Sequence, residues 1–83
     1  MDRFDAMSTL IAAVDGGSLS AASRALGMPL ATVSRKVSEL EALLHAQLLV
    51  RASRRLSLTE AGRAYVAASR RILAEIDDAE RAA

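Results

Sequence analysis

The sequence predicts a mainly α-helical domain carrying one short β-hairpin, and three observations support that prediction. Apolar residues make up 52% of the 83-residue chain, and they are mostly alanine and leucine, which favour helices over strands. Apolar positions recur at helical spacing along most of the chain, interrupted by Gly16-Gly17, Gly27 and Pro29. One segment breaks that period. Gln47-Leu48-Leu49-Val50-Arg51 is a short apolar run, Ala52-Ser53-Arg54-Arg55 is a polar and basic turn, and Leu56-Ser57-Leu58 alternates with period two.

The first helix is expected to start near Asp2 or Arg3 and run to Asp15, because Phe4, Met7, Ile11 and Val14 fall at helical spacing. Asp2 and Asp5 suit the positive end of its dipole, and Gly16-Gly17 stops it. Ser18 or Ser20 caps a second, short helix with Ala22 and Leu26 facing inward, and Gly27 supplies the turn that follows. The third helix has the clearest pattern. Val33, Val37, Leu40 and Leu44 lie within about 60° of one another at 100° per residue, a narrow core stripe. Ala31, Arg35, Ser38 and Ala42 point the opposite way, with Thr32 and Ser34 on the flanks. Residues 47–58 read as a two-stranded wing, with Arg54 and Arg55 at its tip and Arg51 near its base. Thr59 then caps a final helix of about 23 residues, roughly 35 Å long and more than so small a domain needs for its own core. Its apolar face runs through Tyr65, Val66, Ile72, Leu73 and Ile76, with Ala79 extending it, and a second copy of the chain is the natural occupant of the distal half.

Composition excludes several function classes. With no cysteine there are no disulfides and no Cys-ligated zinc, and the single histidine, His45, offers no metal site by itself. No nucleophile with a neighbouring base, paired-carboxylate cleft, phosphate loop or cofactor motif is present, so no catalytic residue, metal or cofactor is expected. The longest apolar run, Leu10 to Val14, is far too short for a membrane span, and the expected location is the cytoplasm.

Charge distribution says more than the net value of +1. Residues 24–71 hold nine Arg or Lys against Glu39, Glu41 and Glu60, a local balance of +6, while the segments before and after carry −2 and −3. A basic middle between acidic ends is the footprint that a phosphate backbone selects. A short helix, a tight turn and a helix with a small, polar and basic outer face form a helix-turn-helix at about 18–37, the arrangement that enters a DNA major groove.

The order and spacing of Gly17-Ser18-Leu19-Ser20-Ala21-Ala22, Leu26-Gly27, Val33-Ser34-Arg35, Leu40-Glu41, Arg51 and Leu58-Thr59-Glu60-Ala61-Gly62 resemble the N-terminal DNA-binding domain of LysR-type transcriptional regulators. The resemblance covers nearly the whole chain. It implies a bacterial winged helix-turn-helix over residues 1–58, with the wing at about 48–58, and a linker and dimerisation helix over residues 59–83. In that family an effector-binding domain follows the linker helix, so this chain looks like an isolated domain, with any small-molecule inducer bound only by the missing part. The chain departs from the family pattern at two places. Pro29-Leu30-Ala31 replaces a Ser or Thr cap followed by Gln, and His45 stands where a helix-ending glycine is common.

The expectation is therefore a homodimer that binds double-stranded DNA sequence-specifically, with no membrane role. Thr32, Ser34 and Arg35, with Leu30, Ala31 and Ser38, would read or abut bases, while Ser20, Arg51, Arg54 and Arg55 would hold phosphates. Tyr65, Val66, Ser69, Ile72, Leu73, Ile76 and Ala79 would form the dimer contact. The alternative is a winged-helix module for protein interaction, which would more readily present apolar or acidic residues than Arg35 and Ser38 on its third helix.

Overall fold

The computed structural model describes residues 1–50 and 55–83. Its elements run α1 (Arg3–Gly16), α2 (Leu19–Leu26), α3 (Leu30–Leu44), β1 (Leu49–Val50), β2 (Ser57–Leu58) and α4 (Glu60–Ala82). The two strands pair antiparallel, Leu49 opposite Leu58 and Val50 opposite Ser57, which gives the mainly α architecture with one wing that the sequence predicts.

Local chemistry sets the boundaries of the helices. The Asp2 carboxylate accepts from the amides of Phe4 and Asp5, Ser18 rather than Ser20 caps α2 by accepting from Ala21, and Thr59 caps α4 by accepting from Gly62. α1 and α2 end on left-handed glycines, Gly17 at φ 85° and Gly27 at φ 63°. α3 ends the same way on His45 at φ 52°, where the His45 and Ala46 amides donate to the carbonyls of Ala42 and Glu41. A side chain in that conformation costs about 1 kcal/mol that glycine avoids.

Core packing corrects three of the expected faces. α1 buries Ala6, Met7, Leu10 and Ala13, whereas Phe4 is 51% exposed and Ile11 and Val14 are half-buried. The stripe is rotated because α1 is packed on several sides, by α2, α3 and α4 together, and the small Ala6 and Ala13 allow close approach. Thr9 is fully buried beside them, its hydroxyl donating to the Asp5 carbonyl at 2.9 Å. Leu26 and Leu44 are only partly covered, 39% and 36% exposed, each in the last turn of a helix where the chain leaves the core. Val33, Val37 and Leu40 are buried as expected.

The main core joins Ala6, Leu10, Val37, Leu40, Leu48, Leu49 and Val66, with Tyr65 packed against it. The first half of α4 therefore belongs to the domain interior. Val66 and Ser69, expected at a dimer contact, are buried within this chain. One further contact ties α4 to α1. Arg70 donates to both oxygens of Asp15, at 2.6 and 3.3 Å. The hydrogen bonds from Arg70 hold the Asp15 carboxyl below its ordinary value.

The end of α3 and the start of α4 meet at Leu48. Its amide and that of Leu49 donate to one oxygen of Glu41, at 2.7 and 3.2 Å, while its carbonyl accepts from the Thr59 amide at 3.0 Å. The Thr59 hydroxyl donates to the Gln47 carbonyl at 2.6 Å. Gly62 sits so close that a Cβ there would fall 2.1 Å from the Leu48 oxygen.

Two predictions follow from these contacts. Gly62→Ala forces backbone apart from backbone and is expected to lower stability by about 3 kcal/mol, read as a fall in the urea midpoint; an unchanged midpoint contradicts the close approach. The Asp15 pair contributes stability above pH 3.8, the ordinary carboxyl value, and loses it as pH falls through the lowered folded value. Both side chains are about half exposed, so the contribution is small. Acid titration of the wild-type chain and Asp15→Asn should show that contribution only in the wild type.

Candidate nucleic-acid interface

The helix-turn-helix is formed by α2, Gly27 and α3. At the turn, the Ser23 hydroxyl donates to the Met28 carbonyl and the Met28 amide to the Ser23 carbonyl, so the loop between the helices is fixed from both sides. α3 then begins at Pro29, whose φ of −58° already suits a helix but which supplies no side-chain cap. Its carbonyl accepts from the Thr32 and Val33 amides, at 3.0 and 3.1 Å.

Burial separates the two faces of α3. Val33, Val37 and Leu40 are fully buried, while Leu30, Ala31, Arg35 and Ser38 are exposed and Thr32 and Ser34 are half-buried at the edges. The predicted reading face thus lies on one exposed side of one rigid element. Lys36 is not part of it: its ammonium pairs with the Asp5 carboxylate and pins α3 to α1. Arg35 and Glu39 form an ion pair along the outer face, with Arg35 Nη1 donating to Glu39 Oε1 at 3.3 Å.

Other predicted residues fall around this face. Ser20 is exposed in the first turn of α2, and Arg55 is exposed just before β2. Arg51 and Arg54 lie outside the described residues. On α4, Ile72 is 40% exposed, Leu73 and Ile76 are half-buried and Ala79 is exposed, so an apolar strip continues beyond the core along the distal half. Tyr65 is half-buried against the main core.

Sequence reasoning missed the contacts that hold the face in place. Glu41 tethers the segment after α3, Asp5 anchors Lys36, and Asp15 anchors Arg70. The last two join residues 31 and 55 positions apart, so no local pattern signals them. Arg35 and Glu39 are four residues apart on a helix, and that spacing was readable.

No helix among the described residues is long and apolar enough to cross a membrane. The family model of bacterial regulatory helix-turn-helix proteins, lysR family, matches residues 4–63. The chain is 46% identical over 80 residues to an HTH-type transcriptional repressor of Pseudomonas aeruginosa, covering 96% of this chain and 25% of that protein. It is 44% identical over 78 residues to the HTH-type transcriptional activator AaeR of Escherichia coli, covering 94% of this chain and 25% of that protein. The chain thus spans about a quarter of the length of these relatives. Among solved structures, the BenM_DBD/catB site 1 DNA complex matches with a TM-score of 0.93 at 26% identity, covering 98% of this chain and 90% of that one. CrgA, a LysR-type transcriptional regulator from Neisseria meningitidis, matches with a TM-score of 0.76 at 41% identity, covering 92% of this chain and 26% of that one.

Proposed function

Because the chain belongs to the lysR family of bacterial regulatory helix-turn-helix proteins, we propose that it binds double-stranded DNA sequence-specifically and acts as the DNA-binding part of a transcriptional regulator. The observation that carries this reading is the outer face of α3, where Ala31, Arg35 and Ser38 stand exposed on a helix whose opposite side is locked into the core. Its likeness to a domain solved on DNA supports the same reading.

In this reading α3 lies in the major groove. Small residues at its start let the backbone approach the groove floor, Thr32 and Ser34 bond to bases or phosphates, and Arg35 reaches guanine O6 and N7. Leu30, 48% exposed, offers a methyl-rich surface to thymine in place of a hydrogen bond. Ser20 and Ser38 border the same groove, and Arg51, Arg54 and Arg55 supply cations to the phosphate backbone from the wing. The protein-interaction alternative has no comparable support, since the family match and the likeness to a domain solved on DNA both favour DNA.

Residues 1–58 serve as the reading domain and residues 59–83 as the linker, with the first half of that linker completing the core. Ile72, Leu73, Ile76 and Ala79 pair two copies, with Tyr65 at the margin, so that two reading helices address two half-sites. Val66 and Ser69 contribute indirectly by fixing α4 on its own domain.

Neutralising about four phosphates per protomer gives a log-log salt slope near −7 for a dimer, and a flat dependence in a binding assay would remove the electrostatic part of the proposal. Arg35→Ala should lose discrimination among DNA sequences selected from a random library, whereas Arg55→Ala should weaken all sequences alike; equal effects contradict the division of roles. Ile72→Asp combined with Ile76→Asp should convert a sedimenting dimer to a monomer of unchanged helicity, and a monomeric wild-type chain overturns the pairing.

A further inference from the structure

Arg35, the residue assigned above to guanine, does not stand alone on its face. Glu39 follows it by one turn, about 40° round the helix, and its carboxylate accepts from Arg35 Nη1 at 3.3 Å. The two side chains are 59% and 43% exposed, and neither belongs to a core cluster. A carboxylate on the face meant for a polyanion weakens attraction to every sequence, and the fold gains little from an exposed pair of this kind. Its effect lies in what it does to Arg35.

We infer that Glu39 is a positioning residue for sequence discrimination: it holds the Arg35 guanidinium by Nη1 and leaves the Nη2 and Nε edge to be presented to a guanine. This rests on the base-reading role of Arg35 proposed above. A guanidinium carries five N–H donors in a rigid fork, so one carboxylate bond still leaves two parallel donors for O6 and N7. An unheld arginine swings to whichever phosphate is near, which strengthens binding to all DNA equally. Glu39 cancels that charge on non-specific sequence, and the pair becomes favourable only where a base offers two acceptors to the remaining edge.

The test uses the 83-residue chain, a duplex selected from a random library by the wild type, and a scrambled duplex of equal length and composition. Glu39→Gln, Arg35→Ala and the double variant are compared, with circular dichroism confirming equal helicity. Glu39→Gln should bind the scrambled duplex more tightly, with a log-log salt slope steeper by about 0.9 per protomer as Arg35 takes a phosphate. The preference for the selected duplex should fall at least about fivefold, the low end of what one bidentate contact supplies. When Arg35 is already alanine, Glu39→Gln should still relieve repulsion from the phosphates for both duplexes alike, but should neither steepen the salt slope by an added phosphate contact nor change the preference. If Glu39→Gln keeps the wild-type preference and slope while Arg35→Ala loses preference, the inference is overturned and base reading by Arg35 stands. A loss of preference that persists in the Arg35→Ala background also overturns it, because Glu39 then acts on a base directly. If Arg35→Ala itself leaves preference unchanged, the base-reading role fails and the positioning role fails with it.

Discussion

The backbone of Leu48 is the constraint on which the rest of the structure depends. Its amide is held by Glu41 from the end of α3, its carbonyl by Thr59 from the start of α4, and its side chain is sealed in the core. The end of α3 and the start of α4 are thereby fixed to a single residue, and Gly62 makes the arrangement possible by leaving no atom where the carbonyl must sit. Polar partners at such a junction are obligatory, because a buried amide or carbonyl without one costs more than an ordinary hydrogen bond returns. The Thr59-Glu60-Ala61-Gly62 stretch is therefore both a helix start and a docking surface. A cap alone would require only the threonine.

Much of this architecture was legible in the sequence because its signals are local. Gly17, Gly27, Ser18 and Thr59 mark helix ends through backbone chemistry within a few residues, and the buried stripe of α3 follows from period alone. The stripe of α1 was not legible, since a helix packed on several sides buries residues around much of its circumference and the apolar period no longer names one face. Leu26 and Leu44 illustrate a related limit: residues in the final turn of a helix leave the core with the chain, whatever their phase. The reading face of α3 was visible as a pattern, whereas the pairs that hold it, Lys36 with Asp5 and Glu41 with the Leu48 and Leu49 amides, arise only when distant segments meet.

Both ends of α3 depart from what stability alone would choose. Pro29 gives the first turn its backbone angle without capping an amide, and His45 holds a conformation that glycine would occupy at lower cost. The helix tolerates both because its middle is secured three times over, by burial of Val33, Val37 and Leu40, by the Lys36 pair and by the Glu41 tether. Uncommitted side chains at the helix start are then free to meet a ligand. Stability resides in the buried half of the helix, so substitutions on the outer face are expected to leave the fold nearly untouched.

The Arg70 and Asp15 contact acts on α4 as a bearing near the middle of a shaft. From Arg70 to Ala82 the helix extends for roughly 18 Å, so a tilt of about 10° at the bearing sweeps the far end through about 3 Å. One step along duplex DNA is about 3.4 Å per base pair. Anything mounted on the end of α4 therefore inherits, as a linear displacement close to one base-pair step, whatever angular play the bearing allows.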